Sequence, residues 1–171
     1  MKKLLFLFSM LAAGMMFVAC SNEDYTLIPA TFKGFEYAPN PAVAGDTLTI
    51  SAVYRDKGAY VNKPRCSWRL TLDTLNAKTG VYDKATLSQS RTCSIGDEKL
   101  TVHFALPKST KPGQTASCTF NVDFDVVVNP DKVISSVSNV TEEGYVGTFD
   151  PSIVAGTLVC KTSGRLQVKI K

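Results

Sequence analysis

Along most of the chain, apolar and polar residues alternate with a period of two, the signature of strands with one face buried and one face in water. Leu48, Ile50, Ala52 and Tyr54 share one side of a segment whose other side carries Thr47, Thr49 and Ser51. Cys66, Trp68, Leu70 and Leu72 alternate with Ser67, Arg69, Thr71 and Asp73. Leu100, Val102, Phe104 and Leu106 alternate with Thr101 and His103, and Cys118, Phe120, Val122, Phe124 and Val126 with Thr119, Asn121, Asp123 and Asp125. Near the end, Leu166, Val168 and Ile170 alternate with Arg165, Gln167, Lys169 and Lys171. Beyond the amino-terminal stretch, no segment long enough for a helix carries the 3.6-residue stripe that would predict one.

Turn chemistry separates these segments. Pro39-Asn40-Pro41 and Gly45-Asp46 precede the first strong strand, and Asp56-Lys57-Gly58 closes it. Lys78-Thr79-Gly80, Gly96-Asp97, Lys111-Pro112-Gly113 and Asn129-Pro130-Asp131 follow. Thr162-Ser163-Gly164 predicts a hairpin turn between Leu158–Lys161 and Arg165–Ile170. Glycine and proline in such clusters supply backbone angles that strands do not use. Strands at this spacing without intervening helices predict an all-β fold, an antiparallel sandwich, with a closed barrel of eight or more strands as the alternative.

Residues Pro41 to Ile50, with Gly45-Asp46 leading into Thr47-Leu48-Thr49-Ile50, resemble the start of a bacterial immunoglobulin-like domain, where a Pro/Gly-Asp turn enters the second strand. Cys66-Ser67-Trp68 is similar to the strand that carries the core tryptophan, and Ala116-Ser117-Cys118-Thr119-Phe120 to the later strand with a core cysteine. The resemblance spans about residues 30–128 and implies an immunoglobulin-like sandwich. The first strong strand lacks the cysteine of the antibody disulfide; its counterpart stands two residues before Trp68. The forty-odd residues after Asn129 exceed a minimal sandwich of about 100 residues and predict additional strands.

The first twenty residues have a different character. Met1-Lys2-Lys3 is a short positive start, and an apolar stretch from Leu4 to Ala19 is broken only by Ser9 and Gly14. These are the parts of a secretory signal peptide, and the stretch is shorter than the ~20 residues a membrane-spanning helix needs. Phe17-Val18-Ala19-Cys20 resembles the bacterial lipobox, which implies cleavage before Cys20 and lipidation of its thiol. Ser21-Asn22-Glu23-Asp24 resembles the surface-export signal of Bacteroidetes lipoproteins. The expected organisation is therefore a signal peptide over 1–19, a lipidated cysteine and tether over 20–27, and a sandwich over 28–171. The expected place is the cell envelope, at the outer membrane and facing outward.

Removing residues 1–19 from the 171-residue chain leaves 152, enough for one domain with a real core. Lys2 and Lys3 leave with the signal, so 17 of the 19 basic residues remain against 15 acidic ones, a balance of +2. No segment is a basic run, which argues against nucleic acid as a partner. Besides Cys20, four cysteines remain: Cys66, Cys93, Cys118 and Cys160. An even number in an exported chain makes them candidate disulfide partners, with three pairings available. Because alternation points Cys66 and Cys118 inward, side-chain direction pairs those two first and leaves Cys93 with Cys160.

Catalytic signatures are sparse. His103 is the only histidine, on the polar face of its strand, and no Cys-x-x-Cys pair, Gly-x-Ser-x-Gly elbow or phosphate-binding loop occurs; neither metal nor cofactor is expected. Asp123 and Asp125 share one strand face about 7 Å apart by strand rise. That spacing falls in the ~6.5–9.5 Å range of inverting glycosidases. With Asn121 it could also offer oxygens to calcium, though calcium takes six or more. Two neighbours on one strand point the same way, so a solvated polar face is the simpler reading. Trp68, the only tryptophan, alternates with core residues. Tyr60, Tyr82 and Tyr145 lie in loop-like stretches and are candidate ligand contacts. Asp46-Thr47-Leu48 and Asp73-Thr74-Leu75 resemble a Bacteroidetes O-glycosylation motif, which makes Thr47 and Thr74 candidate acceptors. The expected function is a tethered, non-enzymatic interaction module for a glycan or an envelope protein. A small glycan-acting hydrolase using the paired carboxylates and a purely structural envelope protein are the alternatives.

Overall fold

The computed structural model describes residues 25–128, 133–136, 147–154 and 157–171. The signal peptide, Cys20, the Asn129-Pro130-Asp131 turn and Tyr145 lie outside the described residues. Among the described residues ten strands run in order: β1 Tyr25–Leu27, β2 Thr31–Ala38, β3 Thr47–Asp56, β4 Val61–Leu75, β5 Tyr82–Thr92, β6 Lys99–Ala105, β7 Thr115–Val126, β8 Val133–Ser136, β9 Gly147–Val154 and β10 Thr157–Lys169. No helix occurs among the described residues.

Two antiparallel sheets face each other, one ordered β2-β3-β6 and the other β5-β4-β7-β10-β9, while β1 and β8 form a small parallel pair. Counted from β2, the chain places its first, second and fifth strands in one sheet and its third, fourth and sixth in the other. This is the sheet-switching of an immunoglobulin-like sandwich, here with additional carboxy-terminal strands. The sheets are separate and do not close on themselves, which sets aside the barrel.

The core forms where the inward halves of the alternating strands meet. Leu48, Ile50 and Ala52 of β3 and Leu100, Val102 and Phe104 of β6 face Trp68, Leu70 and Leu72 of β4 and Phe120, Val122 and Phe124 of β7. At its centre the Trp68 and Phe120 rings lie 4.3 Å apart, with Phe32 5.3 Å from Phe120 and Phe35 6.2 Å from Trp68. A buried aromatic of this kind is worth several kcal/mol, about 3–5 when truncated to alanine. At the amino-terminal edge, Gly58 adopts φ +73°, and a Cβ there would come within 2.3 Å of the Ile28 carbonyl oxygen, so only glycine fits. Next to it, Ile28 and Ala59 exchange backbone hydrogen bonds of 3.4 and 2.9 Å.

Two features depart from the reading of the sequence. Thr162-Ser163-Gly164 is not a turn; it runs straight through β10, where Gly164 pairs with Phe120 of β7 and Gly147 of β9. A ladder on both sides holds this stretch extended against its local turn preference. Tyr82–Thr92, read as loop-like at Tyr82, is an eleven-residue edge strand. It has one sheet neighbour, and most of its residues are exposed, so it lacks the apolar period of the central strands.

Candidate functional site

The orientation of the polar face is set by one extra residue. Asn62 pairs with Asp125 and Arg65 with Asp123, so three steps along β4 match two along β7. This is a β-bulge, formed where Lys63 takes φ +45° and Pro64 lacks an N–H for the ladder. A one-residue offset swaps the faces of a strand. Val61 is therefore buried on one side of the bulge and Cys66, not Arg65, on the other.

Beyond the bulge, the outer face of the five-stranded sheet is built in register rows. Thr92, Arg65, Asp123 and Lys161 form one row across β5, β4, β7 and β10; Ser90, Ser67, Asn121 and Ser163 form the next; Ser88, Arg69, Thr119 and Arg165 the third. At the bulge end this face holds an open groove of about 550 Å³ lined by Arg65, Cys66, Ser67, Ser90, Arg91, Thr92 and Asp123. The Arg65 guanidinium donates to the Asp125 carboxylate, with both side chains partly exposed. At the far end of β4, Lys84 Nζ lies 2.7 Å from Asp73 Oδ1. Hydroxyls, an amide and a cation beside a carboxylate can hold a polar ligand by hydrogen bonds.

The groove lacks the parts of a nucleophilic site. Its one thiol, Cys66, is buried, and its pKa is raised first by that burial and then by the Cys93 thiol beside it. Such a thiol keeps its proton at neutral pH and does not present a thiolate to a substrate in the groove. Asp123 and Asp125 do not flank a cleft: both project from the outer face of β7, and Asp125 is engaged by Arg65. No cluster of three or more metal-ligating side chains occurs among the described residues.

The other candidates are scattered. His103 lies on β6 of the other sheet, where its Nδ1 is 2.9 Å from Thr49 Oγ1 at the surface. Trp68 is a core residue. Tyr60 precedes β4 and packs edge-on against Tyr25, ring centroids 4.8 Å apart, whereas Tyr82 opens β5 opposite Leu75, at the far end of β4, with Lys111 Nζ 5.4 Å from its ring. The structure does not bring these two tyrosines together. Thr47 is exposed at the start of β3, and Thr74 is half-buried near the end of β4.

The cysteines are arranged differently from the expected pairing. Cys66 sits level with Val122 and Cys118 level with Leu70. Four residues of strand, about 13 Å, separate Cys66 from Cys118, too far for a disulfide. Cys160 is level with Phe124 on β10, while Cys93 follows β5, three strand spacings or about 14 Å away across the sheet. Cys66 lies instead against Cys93, Sγ to Sγ 3.8 Å. Cys118 and Cys160 are buried singly, and burial pushes each thiol up to about 12.

The outward positions Ser67, Asn121 and Asp123 follow from the alternation of the sequence. Arg65, whose direction depends on the bulge, and Ser90 and Thr92, on the strand without an apolar period, carry no such signal.

No family model matches the chain, and no curated protein matches it. Among solved structures the chain is similar to the sporulation control protein Spo0M from Bacillus subtilis, with 10% identity and a TM-score of 0.36 over 86% of this chain and 50% of that one. The chain thus spans about half the length of that protein.

Proposed function

We propose that the chain is an envelope lipoprotein, anchored in the outer membrane through lipid on Cys20 and facing outward, whose sandwich serves as a non-enzymatic interaction module. The observation that carries this reading is the outer face of the five-stranded sheet. It is an open polar surface with a groove of about 550 Å³, in which the paired carboxylates stand on a face and not across a cleft. Rows of serine, threonine, asparagine and arginine suit a hydroxyl-rich partner such as a glycan, or the polar surface of a neighbouring envelope protein. Loops and faces presented by a rigid sandwich are common binding surfaces.

Two measurements test it. Metabolic labelling with a fatty-acid analogue should mark the wild-type chain and leave Cys20→Ala unlabelled; equal labelling of both removes the anchor. On a glycan array and against an envelope-protein extract, the full chain should be retained, and Ser67→Arg with Asn121→Arg should abolish retention without altering the circular dichroism spectrum. Turnover of a glycan that is lost in Asp123→Asn would replace the module with the hydrolase. No retention of any partner would leave a structural envelope protein.

A further inference from the structure

We infer that Cys66 and Cys93 are a cross-link site, an intrachain disulfide joining the start of β4 to the chain leaving β5.

The two sulfurs are 3.8 Å apart, within reach of rotation about the Cα–Cβ bonds, since bonded sulfurs lie about 2.0 Å apart. The backbone holds them there. Cys66 pairs with Arg91, and the Cys93 N–H donates to the Pro64 carbonyl at 2.8 Å, which extends the β4–β5 ladder past the last paired residue of β5. The bulge at Lys63 and Pro64 turns Cys66 to the inner side, where Cys93 meets it. Cys66 is 2% exposed and Cys93 half-buried, so an oxidant reaches Cys93 first. Among the described residues Cys118 and Cys160 have no such neighbour. Level with Leu166 and Phe124 respectively, they are six residues apart along the β7–β10 ladder, about 20 Å.

With a small-molecule disulfide as oxidant, the Cys93 thiolate attacks one of its sulfurs and releases the first thiolate. Cys66 sulfur then attacks the Cys93 sulfur of the mixed disulfide and releases the second. Two protein thiols and one oxidant disulfide become one protein disulfide and two small thiols, the two protein protons ending on the released thiolates. The bond would lie directly behind the Arg65–Thr92 pair in the groove floor. It would also fix the crossover through residues 94–98 that carries the chain to β6 in the opposite sheet.

The test uses the full chain, purified reduced and then incubated with oxidised glutathione. Trypsin places every cysteine in its own peptide: Cys66 in 66–69, Cys93 in 92–99, Cys118 in 109–132, Cys160 in 133–161 and Cys20 in 4–33. After alkylation, peptide 66–69 should be recovered joined to 92–99, with Cys118 and Cys160 alkylated as free thiols. Oxidation should also raise the thermal midpoint by several degrees, and Cys93→Ser should abolish both the joined peptide and that rise. Recovery of 66–69 and 92–99 as separate alkylated peptides would overturn the assignment, as would 66–69 joined to 109–132. A midpoint that rises equally in Cys93→Ser would overturn it too.

Discussion

The two faces of the five-stranded sheet are made by the same strands and the same backbone ladder, and they differ only in parity. On the inner face Cys66, Trp68, Leu70, Leu72, Cys118, Phe120, Val122 and Phe124 are each 2% exposed or less. On the outer face the interleaved residues are Arg65, Ser67, Arg69, Thr71, Ser117, Thr119, Asn121 and Asp123, all exposed or half-buried. Inside, the space left by the opposing sheet decides volume and excludes charge. Outside, only strand geometry is imposed, so the side chains are free to carry recognition chemistry. The outward residues of the groove sit on the face that stability leaves unconstrained, so substitutions there should leave the domain folded.

That contrast can be broken most sharply at its centre. Trp68→Ala removes the ring packed against Phe120 and Phe35 and should cost about 3–5 kcal/mol in urea unfolding. A loss below about 1 kcal/mol would mean the inner face is not close-packed.

Alkaline pH probes the same face. Cys118 and Cys160 are lifted by burial from 9.0 to about 12. Below about pH 9 these thiols are protonated in both folded and unfolded chains and pH has no effect through them. Between about 9 and 12 the unfolded chain loses protons that the folded chain keeps, so stability falls as pH rises, by at most about 1.4 kcal/mol per pH unit for each thiol. Denaturant midpoints at pH 8 and pH 10.5 should differ, and the difference should shrink in Cys118→Ala with Cys160→Ala.

On the outer face the effects should be small. Lys84→Ala removes the ion pair with Asp73 and should cost about 0.2–1 kcal/mol, less in high salt. Ser67→Ala should fall within about 0.5 kcal/mol of wild type while weakening partner retention. A larger stability loss at Ser67 would show that the outer face is structurally constrained after all.

The inner face was legible because burial on one side forces a strict period of two. Leu48 to Tyr54, Cys66 to Leu72 and Cys118 to Phe124 therefore read correctly as strands of a sandwich. Position along a ladder is not written in that period. Cys66 and Cys118 do share the inward side, but alternation gives no sign that one is level with Val122 and the other with Leu70. Strand β5 was hidden because an edge strand with one neighbour needs few apolar residues; only Ala85 and Leu87 pack on the core. Thr162-Ser163-Gly164 reads as a turn locally and is held straight by β7 on one side and β9 on the other. The direction of Arg65 follows from a bulge that only the β4–β7 register reveals.

The glycine at position 58 has a mechanical consequence. In a chain pulled from its amino end, tension enters at Tyr25 and reaches the sandwich where Ile28 and Ala59 are bonded and the Gly58 backbone presses on Ile28 to Ala30. The β1–β8 ladder, the Tyr25–Tyr60 ring contact, these two backbone bonds and the tight Gly58 contact stand between that load and β2, whereas the aromatic core lies behind them. The first rupture under force should therefore fall in this amino-terminal region, the β1–β8 pair and the Gly58 clasp, and a Gly58→Ala chain stretched in optical tweezers should yield there at lower force. The sandwich behind it would stay folded, so this region would act as a fuse at the amino end of the domain.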